Sequence, residues 1–180
     1  MFLSHKYGFL YIRTRRTGSS SLLNMFLPYY SKEHNDVHLL INPPKEKPHE
    51  EFWSVQSMLD FKIIDNNILK NYFIFAFERD MITKTISHYY QSHPIYGCSF
   101  SCYLKRGSFP IDNYMYQIHH TGENVLKYTA KYENYNDEIK YLWKRLFCEE
   151  PPKTIPHINK TESKIINMNV LKEENKFYNK

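Results

Sequence analysis

A chain of 180 residues with 42% hydrophobic and 17% aromatic residues is sized for a single domain, residues 1–180, and is too rich in apolar surface for an intrinsically disordered segment. No stretch approaches the roughly 18 consecutive apolar residues of a membrane-spanning helix, and the N-terminal residues lack the cationic start and cleavage site of a signal peptide. A net charge of +5 favours anionic ligands without separating nucleic acid from a nucleotide or an acidic glycan. The three cysteines, Cys98, Cys102 and Cys148, are too few for a disulfide framework, so a cytoplasmic protein is expected. Cys98 and Cys102 near His93 fall short of a four-ligand zinc set, and no metal is expected.

In chain order, YGFLYIR at residues 7 to 13 is an apolar, aromatic run suited to a buried strand. TRRTGSSS, residues 14 to 21, follows as a polar turn around Gly18, and SLLNMFLPYY then shows helical spacing as far as Pro28. VHLLI, residues 37 to 41, is a second strand candidate. The NPPKEKP linker after it has three prolines that prevent regular structure, and HEEFWSVQSMLDF, from His49, is a predicted helix.

YFIFAF, residues 72 to 77, is the clearest buried strand; it runs into Glu78, Arg79 and Asp80, and MITKTISHYYQSH continues with helical periodicity. Residues 93 to 110 read as loop-rich. NVLKYTAKYE, residues 124 to 133, holds a further strand candidate. DEIKYLWKRLF, residues 137 to 147, is an amphipathic helix with Ile139, Leu142, Trp143, Leu146 and Phe147 on one side. The tail from about residue 164 is polar. This alternation predicts an α/β fold, a three-layer sandwich with helices on both faces of a central parallel sheet and ligands at the carboxyl ends of its strands.

Two polar loops fall at that end. In RTRRTGSSS, a strand end meets a helix start, where free backbone amides and the helix dipole favour a phosphate. Gly18 allows close backbone approach, Ser19, Ser20 and Ser21 add hydroxyl donors, and Arg15 and Arg16 add positive charge. The loop is not a Walker A sequence, because it has no lysine and no GxxxxGK pattern. In FAFERDMITKTISHYY, Arg79 leaves a buried strand and Ser87 follows eight residues later. A helix beginning near Met81 carries Ser87 roughly 9 Å along its axis, so the two side chains can hold opposite sides of one phosphate-sized anion.

These segments resemble the 3′-phosphoadenosine 5′-phosphosulfate-dependent sulfotransferases of the carbohydrate type, a family with a P-loop-like fold. RRTGSSSL is similar to the family's 5′-phosphosulfate loop, with Arg16 at the position of its lysine, Thr17 to Ser21 along the loop and Leu22 opening the helix. FAFERDMITKTISHYY is similar to its 3′-phosphate motif through Arg79, Asp80 and Ser87, with Met81 in place of a frequent proline. KYTAKYENYNDEIKYLWKRLF and PHINKTES resemble two later segments, in the same order.

The resemblance implies transfer of a sulfuryl group to a hydroxyl or amine, with 3′-phosphoadenosine 5′-phosphate as product and no metal. A small molecule or glycan is the implied acceptor, and no nucleic acid. It further implies that Arg16 faces the leaving oxygen, and that a base lies between the two phosphate motifs. His49 is the first choice for that base, His38 the second, and Glu50 or Glu51 a further option. Glu133 would anchor its segment near the nucleotide, and Asn159 and Ser163 would belong to a closing loop.

Other classes stay open at this level. A small nucleotide kinase would share the strand, loop, helix units, but no Walker lysine or magnesium-binding acid is found. A nucleic-acid-binding module could use the sixteen tyrosines as stacking platforms, but its cations are dispersed along the chain. A sulfotransferase-like protein that binds nucleotide with weak or no catalysis is the third alternative.

Overall fold

The computed structural model describes residues 1–38, 52–107, 109, 112–153 and 155, with the backbone alone for 92–96. Two short strands, β1 (Phe2–Ser4) and β2 (Phe9–Ile12), open the chain as a hairpin whose turn contains Gly8 at φ 64°. Buried Asp36 fastens that turn, accepting the His5 and Lys6 amides at 2.6 and 3.2 Å and the Ser4 hydroxyl at 3.0 Å. Then follow α1 (Ser19–Phe26), a 3₁₀ turn containing Pro28, and β3 (Val37–His38). Next come α2 (Val55–Asp60), α3 (Asn66–Asn71), β4 (Phe73–Glu78), α4 (Met81–Tyr96) and α5 (Phe100–Lys105). A 3₁₀ turn (Asn113–Tyr116) leads into a small ladder of β5 (Gln117–Ile118) and β6 (Glu123–Asn124), and the described chain ends with β7 (Tyr128–Lys131) and α6 (Tyr135–Phe147).

The main sheet has the order β3-β1-β2-β4-β7. It is mixed, which corrects the expectation of a parallel sheet. The strands β2, β4 and β7 are parallel neighbours, whereas β1 is antiparallel to both β2 and β3 and so runs against the other four. The physical reason is the tight His5–Gly8 turn, which has no room for a crossover and folds β1 straight back on β2. The carboxyl ends of β2, β3, β4 and β7 therefore share one end of the sheet.

Alternation along the strands sorts the core into two clusters. Phe2, Phe9, Tyr11, Phe75, Phe77 and Ala130 face one side and pack with Leu22, Leu23 and Phe26 of α1 and Ile139, Leu142 and Trp143 of α6. Leu3, Leu10, Ile12, Ile74 and Ala76 face the other side, against Val55 and Met58 of α2 and Ile68 of α3. Ring stacking reinforces the first side: Phe26 lies 5.3 Å from Trp143 at 7° between planes, and Tyr11 lies 5.2 Å from Phe75.

Residues 93 to 110 are less loop-like than expected. Helix α4 continues to Tyr96, and α5 follows with Ser99 as its N-cap, its hydroxyl accepting the Cys102 amide at 3.2 Å. Phe100, Tyr103 and Leu104 dock α5 on Ile86 of α4, which supplies the burial that a six-residue helix needs. The predicted helix from His49 begins at Val55 behind the Ser54 cap, and residues 49–51 lie outside the described residues. No helix among the described residues is long and apolar enough to cross a membrane.

Candidate functional site

Helix α1 starts directly beyond the end of β2, with Gly18 as its N-cap at φ 71°, ψ 15°. That left-handed conformation and the crowding above it both call for glycine: a Cβ here would come within 3.0 Å of the Tyr135 ring and 3.2 Å of the Tyr132 ring. Gly18→Ala is therefore expected to destabilise the fold by about 1–2 kcal/mol, read as a lower urea midpoint with unchanged slope. A wild-type midpoint would show that the two tyrosines yield without cost.

The loop hydroxyls divide into two sets. Buried Thr14 and Thr17 serve the fold, since the Thr14 hydroxyl donates to the Phe77 carbonyl of β4 and sits 2.9 Å from that of Thr17. Ser19 and Ser20 instead receive the Arg13 guanidinium, Nε to Ser19 Oγ at 3.1 Å and Nη2 to Ser20 Oγ at 3.0 Å. Ser21 is buried. Arg13 is a site residue that the sequence reading passed over. It is 4% exposed and lies over the Phe52 ring at 4.9 Å. The available signal was its place in the alternation after Phe9 and Tyr11, which puts it on a buried face.

The two polar loops meet around Arg16. Its Nε and Nη2 donate to Ser87 Oγ of α4 at 3.0 and 2.8 Å, and its own carbonyl accepts from Arg79 Nη1 at 3.2 Å. Arg79 is also tied to the Thr83 hydroxyl at 3.2 Å and lies over the Tyr132 ring at 4.5 Å. Burial, and after it the like charge of Arg79, lowers the Arg16 pKa from its ordinary value. Burial likewise lowers that of Arg79, opposed by Tyr132, Glu133 and Asp80. Both guanidiniums stay protonated at neutral pH, so two positive charges are concentrated in one half-buried place. Such a place favours an anion that satisfies both.

Around this centre, Arg15 is exposed and lies over Phe52 at 5.1 Å, while its amide donates to Asp112 Oδ2 at 2.6 Å. Lys84 of α4, 1% exposed, bridges Asp112 at 3.2 Å and Glu78 at 3.3 Å. Burial pushes the Glu78 carboxyl up from its usual range, against the pull of Lys84. Glu133 accepts the Asp80 amide at 2.8 Å, which holds the start of α4 against the segment after β7. His88 sits 2.7 Å from the Tyr103 hydroxyl, its pKa lowered by burial and then by Arg15 and Arg16.

His38 ends β3 in register with Phe2, which is itself in register with Tyr11. It is 3% exposed, neither ring nitrogen has a hydrogen-bond partner among the described residues, and its ring lies 5.8 Å from that of Phe2. Burial, the amino terminus and Arg13 lower its pKa to about 4. The ring is thus neutral at neutral pH and only weakly basic. His49, Glu50, Glu51, Asn159 and Ser163 lie outside the described residues. Among the described residues, no group of three or more His, Cys, Asp or Glu side chains is arranged to hold a metal ion.

The structure thus brings together Arg16, Arg79 and Ser87, and sets Ser19 and Ser20 beside Arg13 at the start of α1. Comparison with protein-family models, curated proteins and solved structures finds no match to this chain.

Proposed function

We propose that this chain is a sulfotransferase of P-loop-like, three-layer architecture that uses 3′-phosphoadenosine 5′-phosphosulfate and sulfates a hydroxyl or amine of a saccharide. The observation that supports this reading is the convergence of Arg16, Arg79 and Ser87, residues 63 and 71 positions apart in the chain, at one end of the sheet. Paired guanidiniums with a buried serine hydroxyl suit a dianionic phosphate, and the Gly18–Ser20 turn with the first amides of α1 suits a second anionic group.

The bound donor supplies the sulfuryl group. Arg79 and Ser87 bind the 3′-phosphate, and Arg13 orients the Ser19 and Ser20 hydroxyls at the helix start. Arg16 holds the negative charge that grows on the leaving oxygen, a task that needs a fixed cation and no covalent participation by the protein. His49 is retained as the proposed proton acceptor from the acceptor group.

Arg79→Ala and Ser87→Ala are each expected to weaken binding of 3′-phosphoadenosine 5′-phosphate by about 10–100-fold, because charge-assisted hydrogen bonds contribute about 1.5–3 kcal/mol. Binding of adenosine 5′-phosphate should change little. Isothermal titration checks this, together with ATP in the presence and absence of magnesium. Equal losses for both nucleotides, or a magnesium-dependent preference for ATP, would remove the assignment. A binding-only reading rests on arginine in place of the family's lysine; nucleotide binding without transfer to any of a panel of saccharides would select it.

A further inference from the structure

Two fully buried charges stand behind the loop without forming part of the proposed phosphate set. Lys84 and Asp112 are 1% and 2% exposed, and burying a pair of ions costs several kcal/mol that mutual attraction repays only in good geometry. A pair of apolar side chains would often serve stability as well, so the pair invites a reason beyond stability. The contact that distinguishes it is with the loop. Asp112 Oδ2, the oxygen that meets Lys84 Nζ at 3.2 Å, also accepts the Arg15 amide at 2.6 Å.

The next residue explains why that amide needs holding. Arg16 adopts φ 59°, a left-handed conformation that a side-chain-bearing residue keeps only when its surroundings impose it. Clamps sit on either side of the strained unit. The amide before it is held by Asp112, and its own carbonyl by Arg79 Nη1 at 3.2 Å. The Arg79 clamp belongs to a side chain assigned to ligand, whereas Asp112 is held from behind by Lys84, whose other partner, Glu78, closes β4 at 3.3 Å.

We propose that Lys84 and Asp112 are positioning residues, a buried ionic lock that fixes the Arg15–Arg16 backbone and so aims the Arg16 guanidinium. This rests on the functional reading above only for what the guanidinium is aimed at. Lys84 orients the Asp112 carboxylate; Asp112 transmits that order to the loop through one short hydrogen bond.

The test uses the full chain with Asp112→Asn, Lys84→Met and the double variant, read by amide hydrogen exchange and by titration with 3′-phosphoadenosine 5′-phosphate. Asparagine keeps an oxygen for the Arg15 amide but withdraws the charge. Each single variant should speed exchange at Arg15 and Arg16 by about tenfold or more, leave Leu10 in β2 protected, and weaken nucleotide binding measurably but by less than tenfold, no more than loss of the Arg16 guanidinium itself. The double variant should be no worse than either single, because the two act as one unit. Ser87→Ala should weaken the nucleotide without altering Arg15 exchange.

Exchange that rises equally at Leu10 and Arg15, or not at all at Arg15, would overturn the lock. Where a single variant fails to fold, the double variant, which leaves neither buried charge unpaired, carries the same comparison. A wild-type chain that ignores the nucleotide would refute the functional reading, while the exchange measurements alone would still decide the lock.

Discussion

Replacing Arg16 with alanine is expected to lower the rate of sulfuryl transfer by about 10²–10³-fold while weakening nucleotide binding by less than tenfold. A donor aimed at a leaving oxygen gains most of its interaction as charge builds there, and losing one such donor typically costs that much in turnover. The observed contact makes the experiment discriminating, because Arg16 donates to Ser87, a residue assigned to the 3′-phosphate. A loss of affinity with unchanged turnover would move Arg16 from the reacting centre to that phosphate. Arg16→Lys separates the two roles further. Lysine restores a compact cation and should keep transfer if charge alone matters, whereas the forked contact with one hydroxyl oxygen is lost. Complete inactivity of the lysine variant would mean that the site is built around the planar guanidinium.

The second large effect is a pH dependence of stability carried by His38. Its pKa falls from an ordinary 6.5 to about 4 in the folded chain, because the ring is enclosed and, to a lesser degree, because the amino terminus and Arg13 lie near. A lowered pKa means that the unfolded chain takes up the proton first. Stability from this group is therefore complete above about pH 6.5 and drains away as the pH falls towards 4, by about 3 kcal/mol in total at about 1.4 kcal/mol per pKa unit. Urea unfolding of the wild type and of His38→Leu across pH 4 to 7 checks this. The difference between their stabilities should shift by about that amount in favour of leucine as the pH falls. Parallel curves would show that the ring is not enclosed in solution.

How far the sequence spoke for the structure depended on the distance over which each feature is determined. The loop and α1 were legible because a buried strand, a glycine and a helical run follow one another within a few residues, and the same holds for β4 and α4. Strand β1 was missed because Phe2–Ser4 is too short to show a period, and its pairing depends on a turn stitched by Asp36, far along the chain. Arg13 and Lys84 were missed for another reason: long cationic side chains ordinarily reach water, and only the assembled core shows that both are enclosed. Asp112 carries no local signal, since its partner Arg15 lies 97 residues away. For a base, the sequence points first to His49 and then to His38; His49 lies outside the described residues, and His38 is held at a low pKa.

The parallel pairing of β2 with β4, and of β4 with β7, also bears on how the protein comes into being. The hydrogen bonds by which Arg16 joins Arg79 and Ser87 span 63 and 71 residues. Closing segments of that length is the slow, entropically opposed part of folding, while the β1–β2 hairpin and the helices can form locally and early. A nascent chain that ends before β4 would hold the glycine turn and its serines but not Arg79 or Ser87. Completion of the sheet and the meeting of the two loops are therefore linked, and the convergence of Arg16, Arg79 and Ser87 forms only once β4 has joined β2.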